Sequence, residues 1–213
     1  MEKDYFRYYK PKILLSTIIV LSAIYGTILN FVIPYINWFI EKPYFHYPTV
    51  SSLIILTLIL INKVGLKTPV LKHLFWVKNI SGRYEGKIKY RHFQTGLEEE
   101  KLCAVEIEQS ASKISIQTYF DFKYSKSSEE TKSESIVTSI VSDDFENKKL
   151  VFTYHNSGNI LKDLQPSNGT NILSIIECDN NLFLEGLYYT DKKPQTKGEM
   201  KVKFESKKLK RKF

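Results

Sequence analysis

The chain has 213 residues, of which 25% are charged, and a formal net charge of +8. A chain of this length normally makes one domain or two small ones. The apolar residues are unevenly spread: residues 1–63 hold nearly all the long apolar runs, and residues 64–213 have the composition of a water-soluble domain.

Two apolar stretches come first. Ile13 to Ile40 is 28 residues without a charged side chain, and Pro43 to Asn62 is 20. About 20 such residues cross a bilayer as a helix, and neither stretch shows the polar face of a core helix. The pattern favours two transmembrane helices over two alternatives, which are a signal sequence followed by one anchor and a pair of buried helices.

Basic side chains flank these stretches and predict their orientation. The short link at Glu41 and Lys42 carries one basic residue, whereas each outer flank carries four. The positive-inside rule therefore places both termini in the cytoplasm. Aromatic residues at the two edges fit interfacial belts, namely Tyr5, Phe6, Tyr8 and Tyr9 at one edge and Tyr35, Trp38, Tyr44 and Tyr47 at the other. The flanking basic residues are Lys3, Arg7, Lys10 and Lys12, and then Lys63, Lys67, Lys72 and Lys78.

Polar and small residues inside the first stretch favour assembly of helices. Ser22 and Gly26 lie four residues apart, a spacing that lets helices approach closely. Asn30 and Asn37 favour interhelical hydrogen bonds in hydrocarbon. Such residues also occur in isolated spans, so the pattern alone leaves self-association open.

We predict four segments: a transmembrane hairpin over 1–66, a linker over 67–79, a β-barrel over 80–206 and a basic tail over 207–213. The linker contains "PVLKHLFWVKNI" (69–80), which predicts a short amphipathic helix.

Apolar and polar residues alternate from Ile80 onward, with turn signals between the runs, and predict eight strands. Eight short strands with mostly short connections indicate a closed barrel or a two-sheet sandwich. We predict a membrane-anchored all-β protein, with an eight-stranded antiparallel β-barrel that has room for packed side chains or one small ligand. The predicted strands are Gly82–Arg91, Leu102–Gln109, Lys113–Phe122, Ser133–Ser142, Leu150–Asn156, Thr170–Cys178, Leu182–Thr190 and Gly198–Glu205.

Residues with catalytic chemistry are few. The four histidines and two cysteines show no metal-ligand spacing, and no phosphate-binding loop or nucleophile motif occurs. The sequence therefore predicts no enzyme, metal site or cofactor. The acidic runs Glu98–Glu100 and Ser127–Glu130 are predicted to be solvated loops, and His155–Asn159 a turn.

The tail "KKLKRKF" (207–213) is the densest basic run. It is interpreted either as a frayed, solvated end or as a segment attracted to anionic headgroups or to a phosphate-bearing ligand. Specific nucleic-acid recognition needs more than a tail, so we predict no DNA or RNA partner.

The order of two spans followed by a β-barrel resembles the SMODS-associated two-transmembrane β-strand-rich effectors of bacterial CBASS antiphage systems. The resemblance covers nearly all of the barrel, and the spans agree in number and position. The chain departs from the family pattern at Tyr84, where Trp is frequent, and near Lys192, where Arg is frequent. The matching stretches are "ISGRYEGKIKY" (80–90), "VEIEQSASKISIQT" (105–118), "SESIVTSIV" (133–141), "LVFTYHN" (150–156), "NGTNILSI" (168–175), and "LEGLYYTDKK" to "KGEMKV" (184–202).

This resemblance implies a mechanism without catalysis by this chain. A CD-NTase activated by phage infection makes a cyclic dinucleotide, and the barrel binds it. The effector then forms a homo-oligomer and disrupts the bacterial inner membrane, a lipid bilayer, so that the infected cell stops growing or dies. The implied location is that membrane, as a multi-pass protein.

A cyclic dinucleotide has two anionic phosphates and two base faces, so its site needs aromatic rings, amides, hydroxyls and positive charge. Each candidate has an ordinary structural alternative: a Tyr inside a small barrel is more often core, and a strand Ser is more often surface. The predicted ligand-binding residues in the matching motifs are Tyr84, Gln109, Ser133, Ser135, Tyr154, Asn156, Tyr188, Thr190 and Lys192.

Two other functions remain open from the residues. A constitutive membrane-anchored module for a lipid or small ligand predicts an all-apolar barrel lining, whereas a nucleotide sensor predicts a mixed Tyr, Asn and Ser lining. An anchored enzyme would need a converging acid–base pair, for which the sequence offers no candidate.

Overall fold

The structure is a computed structural model. It describes residues 4–39, 47–92, 95–120, 131–143, 147–158, 165–179, 181–193 and 195–212. The chain divides into two compact units, residues 1–79 with 110–113 and residues 80–109 with 114–213. The predicted link at Glu41 and Lys42, the acidic run Ser127–Glu130 and the last tail residue Phe213 lie outside the described residues.

The first unit contains two apolar helices, α1 (Pro11–Phe39) and α2 (Val50–Val64). α2 begins at Thr49, whose side chain accepts a hydrogen bond from the Ser52 amide, and continues as a 3₁₀ turn to Lys67. The segments Pro11–Trp38 and Val50–Lys67 are each long and apolar enough to cross a membrane. Tyr25 Oη and Thr57 Oγ1, 2.6 Å apart, form a hydrogen bond between the two helices.

The linker differs from its prediction. In place of an amphipathic α-helix, a 3₁₀ turn at Leu71–Leu74 leads into extended chain. Phe75 stacks edge-on against Tyr9 with ring centroids 4.6 Å apart, and Trp76 packs against Tyr8 at 5.7 Å. Tyr8 and Tyr9 are therefore buried in this unit and do not contribute to the predicted interfacial belt, whereas Tyr5 and Phe6 are exposed.

The second unit is a closed barrel in which every strand pairs antiparallel with the next, and the eighth returns to the first. The prediction of two membrane-length helices followed by an eight-stranded antiparallel barrel is confirmed. The last strand shows why the alternating pattern succeeds: Met200 and Val202 are buried, while Lys201 and Lys203 are exposed. The strands are β1 (Gly82–Arg91), β2 (Glu98–Gln109), β3 (Ile114–Phe120), β4 (Thr131–Ser142), β5 (Lys148–Asn156), β6 (Ser167–Cys178), β7 (Asn181–Thr190) and β8 (Lys197–Ser206).

The acidic run Glu98–Glu100 belongs to β2 and not to a loop, which corrects the prediction. Opposite it, β1 carries the cations that neutralise the run. Glu100 forms ion pairs with Lys87 at 2.9 Å and Lys89 at 3.1 Å, and cross-strand pairs of this kind stabilise a sheet. The run of acidic residues therefore did not predict correctly where this strand begins.

Side chains join β3 and β4 where their backbone ladder stops. The ladder joins Gln117–Phe120 to Thr131–Glu134. Beyond it, Ser135 Oγ accepts a hydrogen bond of 2.9 Å from the Ile116 amide, and Thr138 Oγ1 donates one of 2.6 Å to the Ile114 carbonyl. Ser135 thus satisfies an otherwise unpaired strand amide.

One end of the barrel is filled by packed side chains. Tyr84 is fully buried there and donates its hydroxyl proton to the Ile80 carbonyl at 2.8 Å. Gln109 Oε1 accepts a hydrogen bond of 2.8 Å from the Ile80 amide. The Phe204 ring meets Tyr84 edge-on, with centroids 5.5 Å apart. We call this the closed end.

The C-terminal tail is bound to the barrel through its backbone. Arg83 and Glu106, on neighbouring strands, form an ion pair of 2.8 Å in which their side chains are only 1% and 3% exposed. Glu106 also accepts hydrogen bonds from the Lys210 and Arg211 amides at 2.7 and 3.1 Å, and Arg83 donates to the Lys212 carbonyl at 2.6 Å. The backbone over 210–212 is therefore not a frayed end, although the side chains of these three residues are exposed.

Candidate functional site

The end of the barrel opposite Tyr84 and Gln109 opens into a cavity. Odd-numbered strands end there and even-numbered strands begin there, as the antiparallel registers require. The cavity has a volume of about 160 Å³. We call it the mouth. Its lining residues are Ile88, Tyr90, Lys101, Phe120, Tyr154, Asn156, Ser167, Tyr188, Thr190, Lys192 and Thr196.

A smaller inner pocket of about 30 Å³ lies below the mouth. The two cavities share Ile88, Phe120, Tyr154 and Tyr188, so they are adjacent. The inner pocket adds polar side chains to an otherwise apolar interior, which gives the barrel a mixed lining. Its other lining residues are Thr118, Ser133, Asn171 and Met200.

Two tyrosines form the walls of the mouth, and each faces a glycine on the neighbouring strand. Tyr154 pairs with Gly169 across β5 and β6, and Tyr188 pairs with Gly198 across β7 and β8. A Cβ atom at Gly169 would collide with the Tyr154 ring and hydroxyl, and one at Gly198 would lie 2.9 Å from the Tyr188 ring. These glycines therefore let both rings lie close to the sheet and leave the centre of the barrel open.

Replacing Gly169 with alanine should lower ligand affinity while the barrel still folds. The new methyl group meets only Tyr154 side-chain atoms among its nearest neighbours, so the ring must swing toward the cavity. Overpacking of this kind typically costs about 1–3 kcal/mol, and we expect affinity for the ligand proposed below to fall about tenfold. Equilibrium dialysis of the full chain in lipid nanodiscs measures the change.

Gly169→Ala combined with Tyr154→Leu is the compensating variant. The smaller, flexible side chain makes room for the methyl group, so adding Gly169→Ala to Tyr154→Leu should change affinity little. An equal loss in both backgrounds would contradict steric control by the glycine.

The hydroxyl groups of the two tyrosines remain protonated at neutral pH. Burial raises the pKa of Tyr154 to about 12. Burial likewise raises the pKa of Tyr188, with Tyr154 acting in the same direction. Both phenols can therefore donate a hydrogen bond to a ligand.

Amide and hydroxyl side chains organise the rim of the mouth. Asn156 donates to Ser133 Oγ at 3.0 Å and accepts from the Gly158 amide at 2.8 Å. Thr190 holds the connection to β8, because its amide donates to the Thr196 carbonyl at 2.9 Å and its hydroxyl accepts from the Thr196 amide at 3.3 Å. These bonds fix the strand ends that surround the cavity.

Positive charge lines the same rim. Lys101 is half-buried and its ammonium lies 5.1 Å from the centroid of the Tyr90 ring. Burial lowers the pKa of Lys101 from its ordinary value; Glu99 opposes this effect and the charge of Lys192 adds to it. Lys192 is exposed at the end of β7. Because the charge of Lys192 disfavours a second cation at Lys101, an anionic ligand between the two lysines would be favoured.

The structure brings together six of the nine residues predicted from the sequence. Tyr154, Asn156, Tyr188, Thr190 and Lys192 line the mouth, and Ser133 lines the inner pocket. As contacts to a ligand, these six remain predictions.

The other three predicted residues lie elsewhere. Tyr84 and Gln109 are in the closed end and bond to Ile80. Ser135 bonds to the Ile116 amide between β3 and β4. None of the three lines either cavity, so we leave them out of the site proposed below.

Sequence reasoning missed Lys101, Tyr90 and Asn171. The signal for Lys101 was present, because it alternates with Cys103 and Val105, whose side chains are buried in the barrel. The predicted strand began one residue too late to include it. Asn171 alternates in the same way with Leu173, but a lone Asn in an apolar strand does not reveal its role.

A larger concavity of about 600 Å³ lies on the outside of β1, β7 and β8. It is a groove on the outer surface and contains the 2.8 Å ion pair between Lys201 and Glu185. The mouth is smaller, but its aromatic side chains and lysines suit a planar anionic ligand better. Within the described ranges, no three metal-binding side chains cluster together.

Comparison with known protein families identifies a relationship. The sequence model of the family "Cap15, cyclic dinucleotide receptor domain" matches residues 75–204, a range that contains both cavities. No curated protein matches the chain.

Proposed function

The chain belongs to the Cap15 cyclic dinucleotide receptor family, and from that premise we propose that its barrel senses the ligand at the mouth while its two helices carry the response in the membrane. The family makes this chain a CBASS effector that binds a cyclic dinucleotide. The observation that supports the mouth is its combination of two tyrosine walls with Lys101 and Lys192 in one cavity.

The volume of the mouth suggests how the ligand enters. A cavity of about 150 Å³ in another protein holds one benzene molecule, so the mouth, at about 160 Å³, has room for one ring system and not for a whole cyclic dinucleotide. One base therefore inserts between Tyr154 and Tyr188. The phosphates stay at the rim, near Lys101 and Lys192.

Replacing Lys101 with glutamine should lower affinity about tenfold, since hydrogen bonds to charged groups contribute about 1.5–3 kcal/mol. The affinity should also depend on pH in a defined direction. Phosphate binding favours the protonated amine, so affinity falls as pH rises through the lowered pKa of Lys101. Dialysis across the alkaline range should show this fall in the native protein and a weaker one in Lys101→Arg, whose charge persists.

Lys207→Gln is the matched control, because Lys207 is exposed and follows β8 at the closed end. It should leave both affinity and its pH dependence unchanged. An equal loss from both substitutions would show that only net charge matters and would contradict a phosphate contact at the rim.

Ligand binding is proposed to drive homo-oligomerisation and disruption of the inner membrane, which arrests or kills the infected cell. Two features of α1 support association of copies. Asn30 is exposed in the middle of a membrane-length helix, where a polar amide favours a partner. Gly26 has no atom within 4 Å of the position its Cβ would occupy, which leaves its face open for a second helix.

The proposed topology keeps both termini in the cytoplasm of the bacterial cell. It is supported by basic residues in the first turn of α1 and the last turn of α2, such as Lys12 and Lys63. This orientation puts the barrel in the compartment where a CD-NTase makes its product.

A constitutive lipid-binding module is the competing function. It requires an apolar lining, because acyl chains offer no hydrogen bonds. The mouth instead presents Lys101, Asn156, Ser167 and Thr190, and this mixed lining favours the nucleotide.

The experiment uses the full chain in lipid nanodiscs, dialysed against a panel of labelled cyclic dinucleotides. We expect saturable binding of at least one. Proteoliposomes loaded with a dye should then leak only when that nucleotide is added. Tight binding of fatty acids with no binding across the nucleotide panel would overturn the proposal, and binding without leakage would overturn its membrane step alone.

A further inference from the structure

The inner pocket contains a buried hydrogen-bond acceptor that lacks a protein donor. Asn171 lies on β6 between Phe152 of β5 and Tyr188 of β7. Its side chain is 2% exposed and lines the inner pocket. Among the residues that the structure describes, none donates a hydrogen bond to Asn171 Oδ1. Native proteins leave few buried polar atoms in this state, and each calls for an explanation.

The neighbours of Asn171 indicate that packing alone does not require a polar side chain at this position. Leu173, two residues along the same face of β6, and Met200 are both buried, so a hydrophobic side chain would suit position 171 for packing alone. A polar group kept at this depth is costly unless a partner binds it. The Asn171 side chain lines the inner pocket, and this pocket adjoins the mouth.

The size of the inner pocket limits the partner. A volume of about 10–15 Å³ accommodates one water molecule, so about 30 Å³ admits a single projecting group and no ring. The partner must also donate a hydrogen bond, because Oδ1 is an acceptor. On a nucleobase held in the mouth, an exocyclic amino group both projects from the ring and donates.

We propose that Asn171 Oδ1 accepts a hydrogen bond from the exocyclic amino group of the inserted base, and so selects bases that carry one. Adenine, guanine and cytosine carry such a group, whereas uracil and hypoxanthine do not. The proposal rests on the proposed function, since the base must first enter the mouth. Ser133 lines the same pocket and accepts a hydrogen bond from Asn156, so its own hydroxyl proton is available to a ligand.

The test compares ligands that differ in that amine. The full chain in nanodiscs is dialysed against cyclic di-AMP, cyclic di-GMP and cyclic di-CMP, and against the deaminated counterparts cyclic di-IMP and cyclic di-UMP. The native protein should bind at least one amino-bearing ligand about tenfold or more tighter than its counterpart, because the deaminated ligand leaves the buried acceptor unpaired.

Two variants separate recognition from folding. Asn171→Leu should retain the melting temperature of the native barrel without ligand, since no hydrogen bond is lost, and should bind each ligand and its counterpart equally. Asn171→Asp keeps an oxygen at the same point, so it should bind more weakly overall but still prefer the amine.

The outcomes are distinct. If Asn171→Leu still prefers the amine as strongly as the native protein, or if its melting temperature falls sharply, Asn171 has a structural role and the inference is overturned while the proposed function stands. If the native protein binds none of the five ligands, both the inference and the proposed site fail.

Discussion

Replacing Tyr188 with alanine should weaken cyclic dinucleotide binding by about 5- to 150-fold, because stacking of a base on an aromatic ring contributes about 1–3 kcal/mol. The Tyr188 ring lines both the mouth and the inner pocket. A base that enters the mouth must therefore contact it. Equilibrium dialysis of the full chain in nanodiscs measures the loss, and dye release from proteoliposomes should require correspondingly more ligand.

The neighbouring residue provides a matched control. Tyr189 is 39% exposed and, by strand alternation, lies on the outer surface of the barrel. Tyr189→Ala removes the same number of atoms and should leave affinity unchanged. Tyr188→Phe keeps the ring and should retain most of the binding. Equal losses in Tyr188→Ala and Tyr189→Ala would contradict a base inside the barrel.

Replacing Glu106 with alanine should destabilise the barrel by about 3 kcal/mol or more, because it leaves a buried charge without its main partner. Among the described residues, Arg83 would keep Glu85 as its acidic partner, and two amides of the tail would lose their acceptor. Unfolding by urea in detergent, followed by the circular dichroism of the strands, measures the loss as a lower midpoint.

The matched control is Glu108→Ala, two residues along the same face. Its side chain is 61% exposed and lies 3.9 Å from Arg211, and such surface pairs contribute about 0–1 kcal/mol. A second comparison measures the effect of Glu106→Ala in a chain shortened to end at Ser206. Without the tail, Arg83 and Glu106 face water, so Glu106→Ala should then cost little. A full-sized loss in the shortened chain would contradict the role assigned to the tail.

The fold followed from the sequence because its two signals are local. Long stretches without charged side chains identified α1 and α2. The alternation of apolar and polar residues identified all eight strands, as Met200 and Val202 illustrate. The errors fell where neighbours in space decide the structure. Glu98–Glu100 became a strand because Lys87 and Lys89 lie opposite, and Tyr8 is buried because Trp76 packs against it.

The site was only partly predictable. Alternation correctly placed Tyr154 and Tyr188 inside the barrel, but it could not say at which end a side chain lies. Tyr84 therefore looked equivalent to Tyr188, although the register places it at the closed end. The tail shows the same limit. Its basic residues predict a solvated segment, and the buried Arg83–Glu106 pair that binds its backbone depends on pairing across strands.

The proposed function depends on the insertion of one base of a cyclic dinucleotide into the mouth of the barrel. The most direct measurement is photocrosslinking of the full chain in nanodiscs with an azido-substituted cyclic dinucleotide, followed by residue-level mass spectrometry. We expect label on Tyr154, Tyr188 or Lys101, and competition by unlabelled ligand. Label confined to the outer groove, at residues such as Phe183 or Leu187, would contradict it.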